Sequence, residues 1–428
     1  MIARLLVALV VLWSASPAAA QQFEVWLVDQ SNSPGVSHGG AIYIYQGDDL
    51  MGEDATGASA AKIDLGDATT ELCMASTGAN PVRPHMMFFN STGSHAVLAF
   101  VVSGHVVFFD AATRAPVACL RSSPGAGGAR QAHAAVPTRD DAAVLVANQN
   151  GKLLERITTN YATNSFVLDT AATLDLANCT TPNGVACQLA GVRPDNAPIC
   201  AFVASDNGPA FVTLRGGGHF VVDHTTTPMG IVGEYTMDAI KPNGCGAVEA
   251  KQHVFLNAGG GTATNLDEFT VYRLPMTGYA ASNPPNTPAA ELLFEDDTPN
   301  RDAHGPVATK GERYVWMFDR AGNVAEVFDG SSGARVNVVN LLSNDSADPT
   351  PDLAVMAPSG NRIFVSLRGP VPLSGDPHAS TGSTPGLAVV QVQHNGLTGF
   401  VKAVARISNI DAGGVERADA HGIALRRK

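Results

Sequence analysis

Four histidines of this 428-residue chain recur at one phase of a repeating pattern: His85, His133, His304 and His421. Each stands at the head of an apolar segment, after a polar or basic stretch (Arg83, Arg130, Arg301, Asp419). Imidazole is the commonest protein ligand for transition metals at neutral pH, and nitrogen-rich sets suit copper or zinc. Four imidazoles contributed by separate repeats could hold one ion with no local His-x-His motif. Asp302 and Asp419 each precede a histidine by two residues, in two copies of Asp-Ala-His-Gly. They are the expected outer-sphere acceptors, orienting the rings if they turn toward them. The competing expectation is structural: a histidine heading an inner strand can simply hydrogen-bond a neighbouring backbone.

The elements needed to bring these residues together are strands. Short runs rich in Val, Phe, Ala and Leu alternate with Gly, Asp, Asn, Ser and Pro clusters from Phe23 onward, and no stretch sustains a helical period. The chain reads as all-β. A four-strand unit starts near Arg83: Pro84 to Phe89, Ala96 to Val102, His105 to Phe109 and Ala115 to Leu120, with turns at Ser91, Ser103-Gly104 and Asp110 to Arg114. The same order returns from Arg130 and from Arg301, with Gly104, Gly151 and Gly322 following the histidine at nearly constant spacing. Weaker copies start near Ala197, Gly244 and Pro351, Ile199 taking the histidine's place in the first of these. The last copy opens at Asp419 and supplies one strand. Glu24 to Val28 and Ala41 to Tyr45 read as the missing strands of that unit, so the expected fold is a β-propeller of seven blades, closed when the last strand joins residues 22–64. The predicted domain is residues 21–428, with blades starting near 83, 130, 197, 244, 301, 351 and 419.

The motif Val-Phe-Phe-Asp-x-x-Thr ending at Thr113, its counterpart from Val327 to Gly333 and the blade opening His421-Gly-Ile-Ala resemble the YVTN-repeat, lactonase-like seven-bladed propeller superfamily. The resemblance implies the fold and leaves the activity open. The local motifs of copper-using propellers such as the selenium-binding proteins are not present.

Residues 1–20 read as a secretory signal, with Arg4, the apolar run Leu5 to Trp13 and Ala18-Ala19-Ala20 as a cleavage site. Its removal takes Arg4 and moves the net charge from −12 to −13, which disfavours nucleic acid and anionic membranes as partners. A periplasmic or secreted location follows. In that setting the six cysteines are expected to pair as Cys73 with Cys119, Cys179 with Cys187, and Cys200 with Cys245, with zinc ligation as the competing reading although no Cys-x-x-Cys pair exists. The first pair is placed at the ends of similar strands.

No nucleophile elbow, zincin helix or phosphate loop is present. Three functions remain: a propeller binding a small molecule or a copper or zinc ion at the channel mouth; a metal-assisted hydrolase or oxidase, for which Glu249, Asp302, Asp352 and Asp419 are the channel carboxylates; and a scaffold whose acidic surface binds another exported protein. Asn344, Asp345, Ser346 and Asp348 could hold a surface Ca²⁺. Ser366 to Leu387, rich in Gly, Pro and Ser, is expected to project as an insertion over the channel mouth. His105 and His219 share a later phase, expected at the opposite rim with a structural role. His38, His95, His224, His253, His378 and His394 fall in turns or polar loops.

Overall fold

The computed structural model describes residues 22–259, 267–282, 284–373 and 381–428. The expected signal segment and His378 lie outside them. The described residues form five four-stranded antiparallel sheets and one eight-stranded sheet. The latter joins two four-stranded units through a short parallel register, Asp267 to Arg301 and Glu268 to Asp302. Seven inner strands head these units: β1 (Pro84–Phe89), β2 (Ala132–Pro137), β3 (Pro198–Val203), β4 (Asn243–Ala250), β5 (Arg301–Ala308), β6 (Pro351–Met356) and β7 (Ala420–Arg427).

Strands adjacent in sequence pair within a unit, many of them through tight turns, as the alternation of apolar strands and Gly/Asp/Asn turns dictates. The exception is β7, which pairs antiparallel with Phe23–Asp29, from Phe23 opposite Arg427 to Asp29 opposite Ala420. Phe23–Asp29 in turn pairs with Ala41–Gln46, and that strand with Ala60–Asp64. The strand after Asp419 and the strand after Gln22 therefore lie side by side, as the repeat phase predicts. The inner strands touch in the order β7, β1, β2, β3, β4, β5, β6 and back to β7. Apolar layers fill the spaces between sheets. One joins Trp26, Ile42, Leu98, Phe100 and Phe109; another joins Trp316, Phe318, Val365 and Val390.

Three expectations need correction. Two short helices, Gly47–Met51 and Ala68–Thr77, interrupt the strands. Cys73 lies in the second, whose apolar residues follow no stripe, so periodicity could not reveal it. It still pairs with Cys119 of an outer strand, and Cys179–Cys187 and Cys200–Cys245 form as well. The insertion is shorter than Ser366 to Leu387, because Arg362–Leu367 and Gly386–Gln393 are strands; residues 374–380 of it lie outside the described residues. Finally, His105 opens a third strand at the same edge as His85. Pro84 pairs with Phe100 and Phe100 with His105, since antiparallel strands return to the starting rim after two reversals. His219 holds the equivalent place in its own unit.

Candidate functional site

Every inner strand breaks register near its head, six of them at the shared position and β5 one residue after it. The shift follows Pro84, Ala132, Pro198, Asn243, His304 and Pro351, and in β7 it falls between Ala420 and Ile423. A bulge puts two residues opposite one and re-aims a side chain out of the pleat. The position concerned is held by His85, His133, Ile199, Gly244, His304, Asp352 or His421, one per unit; His304 alone keeps its place in the register, opposite Phe318, and the break in β5 falls on Gly305. All four predicted histidines are in this set, and Asp352 is the fifth polar member.

Around the circuit the five polar residues are consecutive. His304 Nε2 lies 3.0 Å from Asp352 Oδ1, and Asp352 Oδ2 is 2.5 Å from His421 Nδ1. The His421 ring stacks on His85, with centroids 4.0 Å apart and planes at 12°. His85 Nε2 faces His133 Nε2 at 3.2 Å. His133 Nδ1 then lies 3.6 Å from Cys245 Sγ, whose disulfide to Cys200 joins β3 to β4. Gly244 completes the circuit beside His304, since a Cβ there would sit 3.9 Å from its ring.

Close approach of the strands demands glycine at two of these bulges. A side chain at Gly305, where φ is +30°, would collide with the Asp352 carbonyl, and one at Gly422 with the His85 carbonyl. The repeated His-Gly pair is thus explained by the neighbouring backbone.

Behind the imidazoles stands a second layer, drawn from the residue that follows the second strand of three units. Gln30 accepts from His85 Nδ1 at 2.6 Å. Arg368 grips Asp419 through Nε and Nη2 at 2.6 and 2.9 Å and reaches Asp352 Oδ2 at 3.2 Å. Arg320 holds Asp302 at 2.8 and 2.9 Å and lies 3.5 Å from Asp352. Asp302 and Asp419 are therefore corrected from ring-orienting acceptors to arginine anchors; Asp352 is the carboxylate that meets ring nitrogens. A bidentate guanidinium offers a buried carboxylate more than one imidazole N–H can. Glu249, the remaining candidate carboxylate, turns outward to the backbone N–H and hydroxyl of Ser205 at 2.8 and 2.6 Å.

With Nδ1 of His85 donating to Gln30 and Nδ1 of His421 donating to Asp352, both rings leave Nε2 without a proton. His421 is 1% exposed and its Nε2 has no hydrogen-bond partner. Burial, together with the neighbouring His421, His133 and Arg83, holds the His85 pKa well below the usual imidazole value. Burial pushes His421 down to about 4 against the pull of Asp352. Burial alone would raise the Asp352 carboxyl, yet His421, His304 and Arg368 keep it well below the ordinary carboxylate range. The site at neutral pH thus offers bare nitrogen lone pairs, braced by an ionised carboxylate clamped between arginines.

One to three residues further along the inner strands opens a cavity of about 600 Å³. Met86, Phe88, Val136, Leu353 and Ile423 line it, the Cys200–Cys245 bridge forms part of its wall, and Arg139 and Arg427 stand at its exposed end.

The other candidates are spent locally. His105 bonds Thr77 and Ser103, and His219 is fully buried against Phe211 and Tyr235. In the expected Ca²⁺ loop, Asp348 accepts from Asn323, and Asp345 offers its backbone carbonyl to Arg406. No helix among the described residues is long and apolar enough to cross a membrane.

No family model matches the chain, and no curated protein is similar to it in sequence. Solved structures are similar in fold. A hypothetical selenium-binding protein from Sulfolobus tokodaii aligns over 95% of this chain and 94% of its own at 9% identity, with a TM-score of 0.64. A putative 6-phosphogluconolactonase from Bacteroides fragilis aligns over 96% and 99% at 10% identity, with a TM-score of 0.58. A β-propeller domain from Myceliophteria thermophila aligns over 83% and 95% at 9% identity, with a TM-score of 0.53. Together with the repeated four-stranded sheets, these likenesses establish an all-β propeller fold.

Proposed function

We propose that the chain is an exported propeller, with residues 21–428 forming a single domain of seven blades closed by β7, and that it binds a copper or zinc ion through the imidazoles heading its inner strands. The closed reading is supported by the pairing of β7 with Phe23–Asp29 and by the unbroken circuit of inner-strand contacts. The metal reading is carried by the 3.2 Å approach of His85 Nε2 to His133 Nε2. Two nitrogens bound at about 2.0–2.1 Å to one tetrahedral ion lie about 3.3–3.4 Å apart. The His85 nitrogen has no proton to share, and next to this pair His304, Asp352 and His421 bring one donor atom each within 4.8 Å of one another.

Hydrolysis by channel carboxylates has weaker support, because Asp302, Asp352 and Asp419 are held by arginines and Glu249 faces outward. A small molecule meeting the ion would occupy the cavity beyond the bulges. Binding of another exported protein by the acidic surface is the reading left if the ring proves inert.

The test is metal analysis of protein purified without a polyhistidine tag. After incubation with Cu²⁺ or Zn²⁺ and desalting, about one equivalent is expected, falling in the His133→Ala and His304→Ala variants with melting little changed; retention below ~0.2 equivalents rejects the site.

A further inference from the structure

The Cys200–Cys245 bridge differs in setting from the other two. Cys73–Cys119 pins a helix to an outer strand, and Cys179–Cys187 joins cysteines at a sequence separation of 8. Cys200 and Cys245 instead each follow the re-aimed residue of their own inner strand, line the central cavity, and lie beside an imidazole of the ring. Their Sγ atoms and a His133 ring nitrogen all fall within 4.8 Å of one another.

We propose that this disulfide is a reducible lock on a second metal site, in which Cys200, Cys245 and His133 take a thiophilic cation such as Zn²⁺ or Cu⁺. The inference rests on the ring reading only in that His133 belongs to both sets.

The spacing fits. Two thiolates on one tetrahedral ion at about 2.3 Å lie about 3.8 Å apart, and a thiolate and an imidazole nitrogen lie about 3.6 Å apart. His133 Nδ1 is 3.6 Å from Cys245 Sγ. The Cα atoms of the two cysteines are 5.2 Å apart, so opening the bridge needs side-chain rotation and little backbone movement. The chemistry balances with a small thiol as reductant. Two R–SH give R–S–S–R, passing two electrons and two protons to the bridge, which becomes two thiols. Ion binding then releases both protons.

A neutral imidazole has one lone pair. On Nε2 it faces His85; on Nδ1 it faces the sulfurs. His133 therefore serves one set at a time, and reduction transfers it from a nitrogen-only site to a sulfur-rich one.

Cobalt(II) is the probe, because thiolate ligation gives it an intense near-ultraviolet charge-transfer band and imidazole ligation does not. The whole untagged protein is loaded with Co²⁺ before and after treatment with a phosphine reductant removed by desalting. The band is expected only after reduction, and it is expected to vanish in Cys200→Ala/Cys245→Ala and in His133→Ala. It should persist in Cys179→Ala/Cys187→Ala, which excludes the surface loop as its source. It should also persist in His85→Ala, in which the nitrogen-only site is lost. Failure of the ring reading alone would thus leave this band intact. Absence of a band in reduced, still-folded protein overturns the proposal, as does a band that survives loss of Cys200 and Cys245. Should the double variant not fold, alkylation of reduced protein supplies the second measurement: Co²⁺ is expected to shield Cys200 and Cys245 from the reagent at least tenfold, and equal labelling with and without the ion overturns the assignment.

Discussion

Five of the seven strand-head positions are polar and two, Ile199 and Gly244, are not; the two arcs are built on opposite principles. In the polar arc the backbone bulges deliver imidazoles and a carboxylate, and Arg320, Arg368 and Gln30 stand behind them. In the other arc the same bulges deliver a branched alkyl group and no side chain at all, and a covalent bridge holds the strands together. A buried charge is tolerated only when its partners are all in place. The polar arc is therefore costly and tightly specified, whereas the apolar arc is inexpensive and locked by sulfur.

The comparison breaks most visibly at Asp352. Asp352→Ala leaves two arginines and two ring nitrogens facing a void, and a loss of about 3–5 kcal/mol in chemical denaturation is expected. An unchanged midpoint would mean that the polar arc is no more demanding than the other.

A smaller effect separates the ring from histidines that are merely buried. Burial drives His219 down to about 3, and burial with Arg121 and Arg130 drives His105 down to about 4, from 6.5 in the unfolded chain. The native state keeps both neutral while the unfolded chain takes up protons, so stability falls as pH drops through about 6.5 toward these values. Asp29 works in the opposite sense. Burial raises it from 3.8 to about 6, so its contribution falls as pH rises across that interval. Denaturation midpoints of His219→Phe should show a shallower acid limb than the parent, with metal uptake at pH 7 unaltered. A parallel acid limb would remove His219 from the account.

Gln30 sharpens the contrast within the polar arc. Gln30→Ala frees the His85 ring to turn, and a tenfold to hundredfold loss of metal affinity is expected in competition titrations. Equal affinity would reduce Gln30 to packing.

Least of all is expected from Ile199→Val, about 0.5–1.5 kcal/mol of stability with no change in metal binding. An effect on affinity would show that the apolar wall participates.

Much of this was legible in the chain because each blade repeats its phase. His85, His133, His304 and His421 share a position, and β7 was placed beside Phe23–Asp29 by the same logic. Asp352 is not marked as a ring member by the histidine phase, because its residue type differs. Yet Pro351-Asp352 stands where Pro84-His85 stands, and aligning all seven heads by residue type would have found it. Arg368 was hidden for another reason. It follows a strand that ends inside a Gly/Pro-rich stretch, so local composition places it in a loop. Gln30 and Arg320 also sit just past strand ends, where side-chain direction depends on tertiary contacts that no local pattern encodes. The rim assigned to His105 and His219 failed on direction alone, since two reversals return the chain to where it began. The helix holding Cys73 has no apolar stripe to announce it.

The pairing of β7 with Phe23–Asp29 also sets an order of events. Until Ala420–Arg427 has been synthesised, one edge of that early strand has no companion, and an open edge invites pairing with other chains. His421 arrives on the same segment, so the unit's completion and the supply of the last imidazole are one step. A chain interrupted before Ala420 would lack both the companion strand and His421.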